Sequence, residues 1–180
     1  MFDSDAEILE GCKQNDRKSQ EQLYNKYVGL FMGICTRYIK NRFEAEDAMM
    51  EGFMKIYKGI NTFAGNGSFE GWMKRIMVYT AIERYRKLSK MPFDGLQQQD
   101  TKVDDNIIDA ISARDIIKLM GELPESYRIV LNLNVIEGYS HKEISELMGF
   151  AEGTSKSMLY RSKILLKKLI ELLIRPIYRL

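Results

Sequence analysis

Ser140-His141-Lys142-Glu143-Ile144-Ser145-Glu146-Leu147-Met148-Gly149-Phe150-Ala151-Glu152-Gly153-Thr154-Ser155-Lys156-Ser157 is the stretch on which the reading of this chain turns. Ser140 and Glu143 have the spacing of a capping box. The serine hydroxyl accepts from the backbone of Glu143, whose carboxylate reaches back to the first amide. Ile144, Leu147 and Met148 then fall on one side of a short helix, and Gly149 suits the left-handed residue that ends one. A second helix is expected from about Glu152. Its Ser155, Leu159, Ser162 and Leu166 recur at steps of four, three and four, one buried stripe in which two small serines let the helices approach closely. The opposite side carries Thr154, Lys156, Ser157, Tyr160, Arg161 and Lys163. A capped short helix, a glycine turn and a second helix with a basic, hydrogen-bonding outside form a helix-turn-helix. An element that enters a major groove needs donors for phosphates and base edges, and these six side chains are of that kind. The bland alternative is a helical hairpin with a charged exterior.

Upstream the same 3.6-residue period prevails. Leu23, Tyr27, Leu30, Phe31, Ile34, Cys35 and Tyr38 predict a helix over roughly 20 to 40. Ala45, Ala48, Met49, Phe53, Ile56, Tyr57 and Ile60 predict another. Asn61 to Ser68 is a loop by its glycine and asparagine content. A third helix follows from about Phe69 to Leu88 with Phe69, Trp72, Met73 and Ile76 on its apolar side, which assigns Trp72 to the core. A shorter helix is expected at Ala6 to Asn15. Pro124 suits a first helical position, and the helix it opens should stop near Gly138. No strand-like alternation persists, so the fold class is all-α: two small helical domains joined by an acidic flexible linker.

The linker is read from Pro92, Gly95 and the polar run Gln97 to Asn106, with structure resuming near Ile107 or Ala113. The boundaries that follow are 1–90, 91–112 and 113–180. Net charge is only +2, but its distribution is uneven. Lys74, Arg75, Arg84, Arg86, Lys87 and Lys90 against Glu83 give Trp72 to Lys90 a net of +5. Asp94, Asp100, Asp104, Asp105 and Asp109 against Lys102 give Met91 to Ser112 a net of −4. Lys156, Arg161, Lys163, Lys167, Lys168, Arg175 and Arg179 against Glu171 give Gly153 to Arg179 a net of +6. Two basic patches about an acidic strip suggest contact surfaces, although solvated helix faces have the same composition.

Other classes find little to stand on. Cys12 and Cys35 form no metal or redox spacing, and His141 is the one histidine, so no metal, no cofactor and no catalytic centre is expected. The cysteines read as reduced thiols of a cytosolic protein. Met1-Phe2-Asp3-Ser4-Asp5-Ala6-Glu7 lacks the basic flank and apolar run of a secretory signal. Ile164 to Ile174, the most apolar tail, is broken by Lys167, Lys168 and Glu171 and is too short to span a bilayer. A cytoplasmic protein with no stable membrane association of its own is expected.

Over about residues 20 to 172 the chain resembles the extracytoplasmic-function sigma factors of the sigma-70 family. The resemblance rests on Ala45-Glu46-Asp47-Ala48-Met49-Met50-Glu51-Gly52-Phe53-Met54-Lys55-Ile56-Tyr57, on Phe69-Glu70-Gly71-Trp72-Met73-Lys74-Arg75-Ile76, and on Leu123-Pro124-Glu125 through Glu137-Gly138-Tyr139-Ser140 to the second helix of the helix-turn-helix. It implies a factor that binds core RNA polymerase, through the β′ clamp helices and the β flap, and directs it to promoter DNA. An anti-sigma factor is a further implied partner. Asp47, Met50, Glu51 and Met54 resemble the surface that docks on the clamp helices. The loop with Asn66 and the following helix, with Lys74, Arg75, Tyr79, Arg84, Arg86 and Lys87, resemble the part that recognises and opens the −10 element. Thr154, Lys156, Ser157, Tyr160, Arg161 and Lys163 fall where the family contacts the −35 element. Similar proteins often carry Asn where this chain has Tyr79 and Asp where it has Glu83, so stacking by Tyr79 is expected in place of a base-reading amide. The rival is a helix-turn-helix regulator that binds duplex DNA without polymerase.

Overall fold

The computed structural model describes residues 4–89 and 112–174, and the chain divides into two compact units, Met1–Lys90 and Met91–Leu180. The acidic run from Pro92 to Asn106, with Ile107, lies outside the described residues, as do Lys90, Arg175 and Arg179. Among the described residues every regular element is helical, as the period requires.

The first unit holds α1 (Asp5–Lys13), α2 (Arg17–Tyr38), α3 (Arg42–Gly59) and α4 (Phe69–Leu88). Each begins on a residue whose side chain satisfies an orphan amide of the first turn. These are Ser4 with Glu7 in a capping box, Asp16 on Ser19, Asn41 on Glu44 and Ser68 on Gly71. A cap of this kind is worth about 1 kcal/mol. Asn15, at φ 58°, turns the chain out of α1 in the left-handed conformation that asparagine tolerates better than most. α1 is tied to α2 by Asp5, which accepts from Lys26 at 2.8 Å and from the Tyr27 hydroxyl at 2.7 Å. Partial burial pushes the Asp5 carboxyl up, but those two hydrogen bonds outweigh it and hold it below the usual carboxylate range.

The core of this unit combines an aromatic run with a close helix crossing. Tyr24, Tyr27, Phe31, Phe53 and Tyr57 form a run of ring contacts with centroids 4.9 to 6.2 Å apart. At the crossing of α3 and α4, a Cβ on Gly52 would lie 2.5 Å from the Met77 sulfur, so a larger residue there would have to displace the buried Met77 side chain. The buried side of α4 is Phe69, Met73, Met77, Val78, Thr80, Ala81 and Ile82. Trp72, expected in the core, is half-buried instead, stacked on Phe69 and meeting Phe63 at a tilt where the 63–68 loop meets α4. The expected loop also starts later than Asn61, because Ile60–Thr62 closes a 3₁₀ turn. Both cysteines are buried. Burial, with Asp16 alongside, pushes the Cys12 thiol up to about 11, and burial pushes Cys35 up to about 12, so both stay protonated.

The second unit holds α5 (Ala113–Gly121), α6 (Glu125–Leu131), α7 (His141–Met148) and α8 (Glu152–Ile174). Pro124 is the residue before α6, one position earlier than the composition suggests. α6 runs on into a five-residue π turn, Asn132–Ile136, and ends at Gly138 with φ 77°. Hydrophobic periodicity does not reveal that widened turn, since it begins at the very end of the buried stretch Tyr127 to Leu133 and leaves too few buried residues beyond it to show a shift of register. Tyr127, Ile129, Val130, Leu133, Ile144, Met158 and Leu159 are all buried, where α6 and α7 pack on α8.

Candidate nucleic-acid interface

Capping at both ends fixes the helix-turn-helix. Glu143 N–H donates to the Ser140 hydroxyl at 3.2 Å while the Glu143 carboxylate accepts from the Ser140 amide at 2.8 Å. Gly149 closes α7 at φ 77°, a conformation in which any side chain would be strained. Ser155 and Ser162 are fully buried between the helices. Ser162 donates to the Leu159 carbonyl, and Ser155 shares a 2.9 Å hydrogen bond with His141 Nδ1. His141 therefore fastens the start of α7 to the start of α8, a role that the capping box alone does not suggest. Leu166, expected on the buried stripe, is only half-buried.

The six residues expected on the DNA side divide. Lys156, Ser157, Tyr160 and Lys163 are exposed along one face of α8, whereas Thr154 and Arg161 are half-buried on its shoulder. Lys156 pairs with Glu152 at 2.7 Å one turn back. The basic run Gly153 to Arg179 is not a single face either, because the Lys167 amine is buried.

In the first unit the corresponding residues lie on α4 and the loop before it. Asn66 is exposed between Gly65 and Gly67, which take φ 78° and 95° and give the loop its sharp bend. Arg75, Tyr79, Arg86 and Lys87 are exposed on α4, and Lys74 is half-buried and paired with Glu70 at 2.5 Å. Trp72, Arg75, Ile76, Tyr79, Thr80 and Glu83 line a groove of about 510 Å³, with Lys55 of α3 beside them.

Arg84 stands apart from this set. It turns to α3, donating to Glu44 at 2.6 Å through Nε and to Asp47 at 3.0 Å through Nη2. The Glu44 hydrogen bond, helped by the charges of Glu44, Asp47 and Glu51, raises its pKa further. A second α3–α4 tie runs through Lys55, which meets Glu51 at 3.0 Å and Glu83 at 2.6 Å. Its hydrogen bond holds the Glu51 carboxyl below the usual range. Asp47 and Glu51, expected to receive a basic partner, thus already have cations of their own chain. Met50 and Met54 lie exposed next to them. Position in the sequence gives no hint of Arg84 on Glu44, forty residues away; only the packing of α4 on α3 creates it.

Residues 23–91 match the family model described as Sigma-70 region 2, and residues 113–166 match that described as Sigma-70, region 4. The ECF RNA polymerase sigma-E factor of Haemophilus influenzae is 26% identical over 182 residues, covering 93% of this chain and 96% of its own length. The RNA polymerase sigma-H factor of Pseudomonas aeruginosa is 26% identical over 187 residues, covering 96% and 97%. Among solved structures, CnrH in complex with the cytosolic domain of CnrY matches with a TM-score of 0.51 and 18% identity, over 94% of this chain and 98% of that one; this likeness concerns the fold.

Proposed function

The chain belongs to the sigma-70 family, in its extracytoplasmic-function branch, and from that premise we propose how two small helical units divide the choice of a promoter. It is an RNA polymerase sigma factor, which binds core RNA polymerase and directs promoter-specific initiation. The rival, a regulator that binds duplex DNA without polymerase, finds no support among these relatives.

In the proposed division, the first unit docks on the β′ clamp helices through Asp47, Met50, Glu51 and Met54. Acids one turn apart attract a basic partner, and methionines adapt to an apolar one. The 63–68 loop with Asn66, and α4 with Lys74, Arg75, Arg86 and Lys87, takes the −10 element as it opens. Melted strands need cations for the backbone and π faces for unstacked bases, and Tyr79 is of the second kind. Arg84 joins them only by leaving its carboxylates on α3. In the second unit, which also meets the β flap, Lys156, Ser157, Tyr160 and Lys163 face the −35 major groove and Thr154 and Arg161 flank it. The acidic linker, 91–112, occupies a basic path in the polymerase. The factor makes and breaks no covalent bonds and works in the cytoplasm, and an anti-sigma protein that covers one of these surfaces belongs to the same reading. No helix among the described residues is long and apolar enough to cross a membrane.

One observation carries this reading: the region 2 match and the region 4 match follow each other in family order, and the second contains the helix-turn-helix whose outer face is basic and hydroxylated. Purified protein added to core RNA polymerase should give transcripts from a defined set of start sites absent with core alone. No start-site choice in that mixture refutes the proposal.

A further inference from the structure

α3 begins at Arg42, three residues before the first apolar residue of its period, and this places Phe43 inside the helix. Phe43 is 79% exposed, the most exposed large apolar side chain among the described residues. It does not stand alone. Phe43, Asp47, Met50 and Met54 are spaced four, three and four, so at roughly 100° per residue they lie within an arc of about 60°. Met50 is 49% exposed, Met54 52%, and the Asp47 side chain 69%. The buried residues of the same helix, Ala45, Ala48, Met49, Gly52, Phe53 and Ile56, occupy the opposite side. Three large apolar side chains at that spacing form a ridge about 16 Å long at 1.5 Å per residue. Scattered exposed apolar residues are ordinary, but a continuous ridge of them marks a contact surface.

We propose that Phe43 is the anchor by which this docking surface holds the polymerase helices already assigned to it. The proposal rests on the reading above, in which Asp47, Met50, Glu51 and Met54 meet the polymerase, and it extends that surface by one turn towards the start of α3. The four-three-four repeat is the seam spacing of helices packed knobs into holes, so the occupant it fits is another helix. Charge selects its character. Asp47 lies within the ridge, and Glu46 and Glu51 flank it, so the facing helix presents apolar residues along its seam and Lys or Arg beside them. Large aromatic side chains seated in a pocket dominate such interfaces, while surrounding contacts mainly exclude water. Phe43 has the area for that part, and the methionines on the same ridge follow the partner's shape.

The test measures binding of labelled full-length protein to core RNA polymerase. Phe43→Ala should weaken binding roughly 30-fold, the size of an interface hot spot. Phe43→Met should recover most of that loss. The exposed position leaves the fold unaffected, so both variants should melt with the wild type. The Arg42→Phe/Phe43→Ala double variant moves the ring about 100° off the ridge, and it should bind as weakly as Phe43→Ala. A photoreactive phenylalanine analogue at position 43 should cross-link to a polymerase subunit in the holoenzyme. Wild-type affinity in Phe43→Ala overturns the proposal. So does rescue by the double variant, which would show general stickiness, or a cross-link to promoter DNA. If the wild type itself does not bind core, the sigma reading fails instead.

Discussion

The outer ridge of α3 and the outer face of α8 are both exposed surfaces on well-formed helices, yet they present opposite chemistry. α3 shows Phe43, Met50 and Met54 with acids between and beside them; α8 shows Lys156, Ser157, Tyr160 and Lys163. Apolar area rimmed by carboxylates suits a protein whose surface is apolar and basic, since burial supplies the affinity and charge the choice of partner. Hydroxyls and cations suit phosphates and base edges and gain little from an apolar partner. The family matches say that such a chain must meet both a protein and DNA. The contrast between the two helices supports the proposed division, with α3 turned to the protein and α8 to DNA. Its weak point is Arg84, a cation of the helix proposed to face DNA whose hydrogen bonds go to the acids of the helix proposed to face protein.

The sharpest way to break the contrast is to reverse it on one side. Replacing Asp47 and Glu51 together by lysine should abolish co-elution with core RNA polymerase, a loss of at least roughly 100-fold for reversed charges at an interface. The double replacement also sets one new amine beside Arg84 and the other beside Lys55, but Asp47 is exposed and Glu51 only half-buried, and pairs that water reaches contribute little to stability. Thermal melting should therefore stay close to wild type. Normal co-elution would remove α3 from the docking surface.

On α8 the expected effect is smaller, because each residue is one of several contacts. Arg161→Ala should cost about 1–3 kcal/mol of promoter binding by holoenzyme if Arg161 reads a base edge, with selectivity at the upstream element relaxed. Unchanged selectivity in a transcription assay would refute that role and leave Arg161 as a shoulder residue of the helix.

Regular features were the legible part of the sequence. Capping residues and the 3.6-residue period place α2, α4 and α7 within a few residues, because an Asp or Ser caps the first turn of each and an apolar period follows. Three features escaped that logic for physical reasons. The π turn at Asn132 alters hydrogen bonding without altering composition. Trp72 has an apolar neighbourhood by spacing, but its ring lies half-buried against Phe63 and Phe69, and Phe63 belongs to a loop that helical spacing does not place. Phe43 precedes the first buried residue of its helix, so periodicity counted from the buried side never reaches it. For the candidate sites, residue type could be read directly, and exposure on one face for Lys156, Ser157, Tyr160 and Lys163, but not for Thr154, Arg161 or Arg84. Long-range ion pairs such as Arg84 to Glu44 could not, since they depend on how two helices cross.

The smallest expected effect separates two lysines on one face. Each lysine that neutralises a phosphate contributes about one unit to the slope of log affinity against log salt. Lys163→Ala should lower that slope by about one for promoter binding, with affinity reduced evenly across sequences. Lys156 stands in the same face but holds Glu152 at 2.7 Å, and the pair carries little net charge. To reach a phosphate it must first give up that carboxylate, which itself sits at the start of α8, where the helix dipole favours an acid. Lys156→Ala should therefore change the slope by less than Lys163→Ala, and Glu152→Gln should raise the contribution of Lys156 towards a full unit. Equal slopes for the two alanine variants would show that the Glu152 pair dissolves on DNA, and would make the whole outer face of α8, Lys156 included, the basic counterpart of the α3 ridge.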